Sequence, residues 1–384
     1  MSWTNNLLVI FVSSIIGLIL FELMLSVSSS AYSNSKHLSR TMSNLELHDH
    51  EHHFCYGPRD RMKFDNELIA VEHENQQYFE FRNKSVSLHT YNKFGFRFPI
   101  NEQVSDKNVV VLGDSFARGT LADDTETIPS FLTRWSNGIV FYNFGIAGHG
   151  PSQHFINYKR HASKFKHDYV ILLHYLGNDA NNELDLSCRL IRAKQIFEKN
   201  QSNELGAQKL KNFIESFHIG RLLLDAKRTF QTSSKKKSLP EPIVIANLIE
   251  RPIKQILDAA QSNGKKLAIV TIPTREVYDD KNFPVHHNLY KKEIMELQKN
   301  VINRLSEQNG TPVLHLDEAF EDMDLEILNL YGWPDAHFHE EGYYLSAIKI
   351  GEFLSKTFQL SFNFENEFIS MTNFEPSSAK CPAN

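Results

Sequence analysis

Three apolar runs in this chain each break into a polar loop that carries glycine. Residues 109–112 enter Gly113-Asp114-Ser115, residues 139–143 enter a turn that runs from Gly145 through Gly148 and Gly150 to Pro151, and residues 169–174 enter Tyr175-Leu176-Gly177-Asn178-Asp179. Short continuous apolar runs bounded by turn residues read as strands buried on both faces. Between them, residues 128–135 and 153–165 have helical spacing. Strands that alternate with helices build a parallel sheet, and in such a sheet the three loops emerge along one edge. Polar chemistry is therefore expected at that edge.

Residues 184–242 interrupt the alternation. They read as an insertion with helical stretches at 188–200 and 207–230, and an exposed lysine- and serine-rich linker before Pro240 and Pro242. The pattern then resumes with a helix over 244–262, a strand over 266–272, a helix over 289–307, a strand over 312–316 and a last helix over 343–358. Five strands with helices between them predict a three-layer α/β/α sandwich around a mainly parallel sheet. No internal repeat is evident.

Outside residues 107–358 the chain reads as accessory segments. Residues 7–21 are apolar apart from Ser13, Ser14 and Gly17. This run is short for a membrane-spanning helix and suits a signal-peptide core, so residues 1–31 are expected to target or anchor the chain at a membrane, its catalytic part lying outside the cytoplasm or being secreted. No Lys or Arg precedes the run, while Lys36 and Arg40 follow it, which reverses the usual charge bias. Residues 32–53 read as a tether whose His48, His50, His52 and His53 alternate with acids as a solvated run, not a metal site. Residues 54–106 predict short strands forming an apron on the core, and residues 359–384 a surface tail. A net charge of −5, with no basic stripe, excludes nucleic acid as a partner. The 3 cysteines are too scattered for a disulfide framework or a paired-thiol metal site.

Cleavage of an ester through a covalent intermediate needs a nucleophile, a base, a group that orients the base and donors for the oxyanion. Each can be named. Ser115 supplies the hydroxyl, His337 in the loop before the last helix supplies the imidazole, and Asp335 two residues earlier can hold its other nitrogen. The amide of Ser115, the backbone N–H of Gly148 and the side-chain amide of Asn178 are the candidate donors. Other readings stand beside these: Asp114 or Ser115 as a helix cap, Gly148 as a turn glycine, Asn178 as a cap, and His339 as a competing base. His149 and His174 flank the site but read as packed. Thr274-Arg275 offers a cation, though a salt-bridged surface arginine is the plainer reading, and Asp179 is expected to support the Asn178 loop.

With its blocks Gly113-Asp114-Ser115, Asn143 to Gly148, Gly177-Asn178-Asp179 and the Asp335/His337 loop, in that order, the chain resembles the SGNH hydrolases, or GDSL-type esterases. The likeness covers residues 107–183 and 264–357. It implies a flavodoxin-like fold, Ser115 as nucleophile, Gly148 and Asn178 as oxyanion donors, and His337 as base. The single residue between Asp335 and His337 departs from the commoner family spacing and looks like the branch that holds alginate-type O-acetyltransferases. The expectation is a serine esterase acting on O-acyl, chiefly O-acetyl, esters of carbohydrate or cell-envelope glycan, with no metal or cofactor. The alternatives are an acetyltransferase with the same triad and a non-catalytic scaffold.

Overall fold

In a computed structural model, residues 53–55, 62–82, 85–98, 107–201, 242–275, 278, 292–321, 330–331 and 336–364 are described. They belong to a unit formed by residues 50–195 and 239–384, except 196–201, which fall in a second unit of residues 1–49 and 196–238. The apolar run at 7–21, the histidine-rich segment at 48–52 and most of the insertion lie outside the described residues. Among the described residues, no helix is long and apolar enough to cross a membrane.

The core sheet has five strands: β6 (Asn108–Leu112), β7 (Val140–Asn143), β8 (Tyr169–Tyr175), β9 (Lys266–Ile272) and β10 (Val313–His315). Their order is β10-β9-β8-β6-β7, and every pairing is parallel. All five residues of β6 are buried. Successive strand side chains face opposite sides, so Val109 and Val111 join one core while Val110 and Leu112 join the other. The first core is covered by helices α1 (Ser115–Arg118), α2 (Ile128–Trp135), α8 (Leu316–Glu321) and α9 (Glu340–Phe358). The second is covered by α3 (Pro151–Arg160), α6 (Pro242–Ser262) and α7 (Lys292–Asn309). This is an α/β sheet with helices on both faces.

Two helices escape the sequence pattern. Helix α4 (Asp179–Leu184) is too short to show a period, and it leads into α5 (Leu186–Gln201). Leu316, expected to end a strand, instead opens α8, whose first turn carries Asp317 and Glu318 where the helix dipole favours acids. Helix α3 starts at Pro151, with Gln153 Oε1 accepting from the Gly150 N–H at 3.1 Å. It ends at Arg160, and a 3₁₀ turn, Ala162–Lys164, follows, leaving Phe165 in extended backbone. At the start of the C-terminal segment the half-buried Phe362 and Phe364 pack against the core and Asn363 N–H bonds the Trp135 carbonyl at 2.7 Å.

The N-terminal strands are β1 (His53–Cys55), β2 (Met62–Asp65), β3 (Ile69–Glu72), β4 (Gln77–Arg82) and β5 (Ser85–Thr90). They form an antiparallel sheet of order β1-β4-β5 and a β2–β3 pair. Arg97 donates to the carbonyls of Leu88, Arg118, Gly119 and Ala122, and Gln153 donates to Leu68 O at 2.7 Å. The buried Arg118 guanidinium reaches Glu72 at 3.2 Å and Glu80 at 3.4 Å.

Candidate active site

Strand β6 is buried throughout, apolar from Val109 to Leu112, and ends against Gly113, so Asp114 and Ser115 fall where α1 begins. The capping and nucleophile readings divide between these neighbours. Asp114 Oδ1 accepts from the Phe116 N–H at 2.9 Å and caps the helix. Ser115 is left to face His337, whose Nε2 lies 2.7 Å from Ser115 Oγ. The N–H of Ser115, first in its helix, has no intrahelical acceptor.

Packing of the next residue holds His337 in place. Phe338 is fully buried against Phe116, Phe320, Tyr331 and Tyr343, and it forms a bridge with Tyr331. The His337 ring tilts against Phe116, with centroids 5.1 Å apart. His339, the competing base, is engaged elsewhere, since its Nδ1 accepts from the Glu341 N–H at 3.1 Å and caps α9. Asp335 lies outside the described residues.

The Gly148 loop is drawn toward the same edge. Its residue Ile146 donates from N to Gly113 O at 3.1 Å, and His149 N closes a turn onto Ile146 O at 3.2 Å. Gly148 sits in that turn at φ +74°, a backbone that favours glycine. Asn182 of α4 then orders the donors. Its Nδ2 donates to His149 O and to Asn178 Oδ1, each at 3.3 Å, which turns the Asn178 amide nitrogen away from Asn182. That nitrogen and the Gly148 N–H make no hydrogen bond among the described residues. Asp179 supports the turn by accepting the Tyr175 N–H at 3.1 Å. The loop also passes so close to α1 that a β-carbon on Gly145 would collide with the backbone of Ala117 and Arg118. Gly145→Ala is expected to cost about 3 kcal/mol of stability, read from urea denaturation, because backbone on both sides cannot yield.

Burial pushes the Asp114 carboxyl up to about 6, with the nearby Asp179 charge adding to the effect. Asp114 Oδ2 lies 3.2 Å from Ser115 Oγ, so an ionised Asp114 competes with His337 for the hydroxyl proton. His149 is packed, as expected, its Nε2 donating to Ala70 O at 3.1 Å. Burial, reinforced by His154, takes its imidazole down to about 3. A free histidine titrates near 6.5, so below that pH the unfolded chain takes up a proton that the folded chain refuses. Stability is therefore lost as pH falls through 6.5 toward 3, by about 2 kcal/mol from this residue between pH 7 and 5. His149→Gln should flatten that part of the slope in denaturation at the two pH values.

Two contributors carry no motif. Asn182 is recognisable only as the residue one helical turn after Asn178. Arg189 Nη2 donates to the Gly148 carbonyl at 2.6 Å from α5, inside the stretch read as an insertion, and nothing in its spacing announces the contact. The surface reading of Arg275 is corrected: at 5 % exposure it is buried below β9.

No family model matches the sequence, and no curated protein matches it. Among solved structures, a lipolytic protein of the G-D-S-L family from Desulfitobacterium hafniense is 13% identical, with 65% of this chain and 100% of that one covered at a TM-score of 0.41. A lipase/acylhydrolase from Enterococcus faecalis is 12% identical, covering 67% and 100% at 0.40. An acetylxylan esterase, Axe2 from Geobacillus stearothermophilus, is 12% identical, covering 66% and 95% at 0.38. Likenesses this distant assign no activity. In its own parallel sheet, block order and Ser115–His337 contact, the chain resembles the SGNH hydrolases.

Proposed function

We propose that this chain is a serine ester hydrolase of the SGNH type. The observation that carries the reading is the 2.7 Å contact between Ser115 Oγ and His337 Nε2 at the sheet edge, with donors of Gly148 and Asn178 unpaired among the described residues. His337 Nε2 takes the Ser115 proton as Oγ attacks the acyl carbon. The oxyanion is met by the N–H groups of Ser115 and Gly148 and by Asn178 Nδ2, each donor worth about 3 kcal/mol. His337 then protonates the departing alkoxide, leaving an acyl-serine and the free alcohol. A water gives its proton to His337 as it attacks the acyl carbon; the bond from that carbon to Ser115 Oγ then breaks, His337 returns the proton to Oγ, and the acid is released. Asp335 is assigned to the other imidazole nitrogen. The substrate class we assign is an O-acetyl ester on carbohydrate or cell-envelope glycan, met outside the cytoplasm by a chain targeted through residues 1–31. The single residue between Asp335 and His337 favours a second reading, in which a sugar hydroxyl replaces water and the acetyl group is transferred.

A fluorophosphonate probe should label the wild-type chain on Ser115 and leave Ser115→Ala unlabelled. Label on another residue, or none, overturns the reading. With an acetyl ester and an oligosaccharide together, release of acetate marks hydrolysis and acetylated oligosaccharide marks transfer.

A further inference from the structure

The loop that carries the Gly148 donor is gripped by three side chains from α4 and α5. Glu183 accepts the Ser152 N–H at 2.9 Å on one carboxylate oxygen and the Ser152 hydroxyl on the other, Asn182 Nδ2 donates to His149 O at 3.3 Å, and Arg189 Nη2 donates to Gly148 O at 2.6 Å. The Arg189 bond differs in what it holds. Gly148 O and the His149 N–H are the two ends of one rigid peptide plane. Arg189 fixes the oxygen, while the N–H donates to Ile146 O at 3.2 Å. Among the described residues nothing else donates to that oxygen. Gly148 has no side chain to restrict it at φ +74°, and a β-carbon there would meet only Arg189 Nη2 within 4 Å, at 3.3 Å. The orientation of the plane, and with it the neighbouring Gly148 N–H, is therefore left to these two hydrogen bonds.

We infer that Arg189 is a positioning residue, which by holding the Gly148–His149 peptide plane sets the Gly148 N–H for the oxyanion. The catalytic role rests on the proposed hydrolase reading, whereas the hold on the loop does not. A guanidinium keeps its charge throughout the working pH range, and a charge-assisted hydrogen bond to a carbonyl is shorter and roughly twice as strong as a neutral one. Of the two bonds on the plane, the one from Arg189 is accordingly the stronger. Its contribution to overall stability is small by comparison. The guanidinium is partly desolvated, with Asp185 one turn earlier acting as its counter-charge, and Nη1 is buried without a hydrogen-bond partner among the described residues. Those costs offset much of what the bond gains, so loss of the side chain shows in the loop and in turnover more than in melting. The stretch that interrupts the strand and helix alternation thus begins with a working part of the active site.

The hold is read without catalysis, by amide hydrogen exchange over residues 145–150 of the full chain. Arg189→Met should exchange about tenfold faster there than wild type, the scale of losing one charge-assisted hydrogen bond, and Arg189→Lys, which keeps a cationic donor, should exchange more slowly than Arg189→Met. Exchange in Arg189→Met equal to wild type overturns the inference. The role is read from p-nitrophenyl acetate kinetics. Arg189→Met should lower kcat about 30-fold, less than outright loss of an oxyanion donor, with KM within about twofold and Tm within about 3 °C of wild type. Arg189→Lys should recover to within about fivefold of wild type. Arg189→Gln, whose shorter side chain brings no cation to the carbonyl, should match Arg189→Met and replaces it if that variant does not fold. A donor-less variant within about threefold of wild type, a loss confined to KM, or a Lys variant no better than Met overturns the positioning role. A wild-type chain that neither turns over ester nor takes the fluorophosphonate label sinks the hydrolase reading instead, and the exchange rates still decide whether Arg189 holds the loop.

Discussion

His337→Ala is expected to lower kcat on an acetyl ester by about 10⁴- to 10⁶-fold, while His339→Ala stays within about threefold of wild type. The two histidines are two residues apart, and the residue between them separates their roles. Phe338 turns into the aromatic core between Phe116 and Tyr331, and the chain on either side is pinned by that burial. His337 is thereby set with Nε2 2.7 Å from the hydroxyl, and His339 with Nδ1 on the Glu341 N–H. Removing a base that acts in both halves of the reaction removes proton transfer from attack and from alcohol departure, which is why the loss is large. Removing His339 deletes one helix cap, worth about 1 kcal/mol of stability and little of kcat. Steady-state kinetics on both variants, with thermal melts to show that each folds, checks the assignment. A dead His339→Ala enzyme beside an active His337→Ala enzyme would show that the resting contact is not the catalytic one.

The sheet and the residues on its edge were legible for the same physical reason. A strand covered on both faces must be apolar along its length, so 109–112, 169–174 and 266–272 stand out, and a polar residue that breaks such a run is forced to the edge. Ser115 and Asn178 follow such runs and Gly148 lies in the glycine-bearing loop after another, whereas His337 was read from the loop before the last helix. What was not legible acts across distance. Gln298 Oε1 meets His174 Nε2 at 3.0 Å from 124 residues away, and the alternation that places it in α7 says nothing about its partner. Arg118 is one basic residue in a four-residue helix, and only the folded apron shows that two carboxylates converge on it. Arg275 reads as a surface cation because arginine is seldom buried, and its burial reflects neighbours that no local pattern encodes. Capping was half legible: the turn demanded an acceptor, but the choice between Asp114 and Ser115 waited on His337.

Arg118→Met is expected to destabilise the protein by about 3–5 kcal/mol and to lower Tm by about 10 °C. The guanidinium is buried between Glu72 of β3 and Glu80 of β4, and it also meets Thr120 Oγ1 at 2.8 Å and the Tyr91 hydroxyl at 3.4 Å. Two carboxylates from the N-terminal strands therefore face one cation from the helix that begins at the nucleophile. Taking away the cation leaves both acids in a dry interior without the guanidinium they share, although His89 Nε2 stands 3.4 Å from Glu80 Oε2, and that penalty dominates the lost packing. The charges themselves need not be net stabilising, since desolvation of an ion cluster offsets most of its attraction. Neutralising all three groups together, as Arg118→Met with Glu72→Gln and Glu80→Gln, should accordingly recover at least half of the lost Tm, whereas an additive loss would show that packing alone explains the single variant. Because Arg118 ends the helix that Ser115 opens, the single variant should also slow fluorophosphonate labelling of Ser115 below its own melting temperature. That result would tie the N-terminal strands to the geometry of the nucleophile as well as to the stability of the fold.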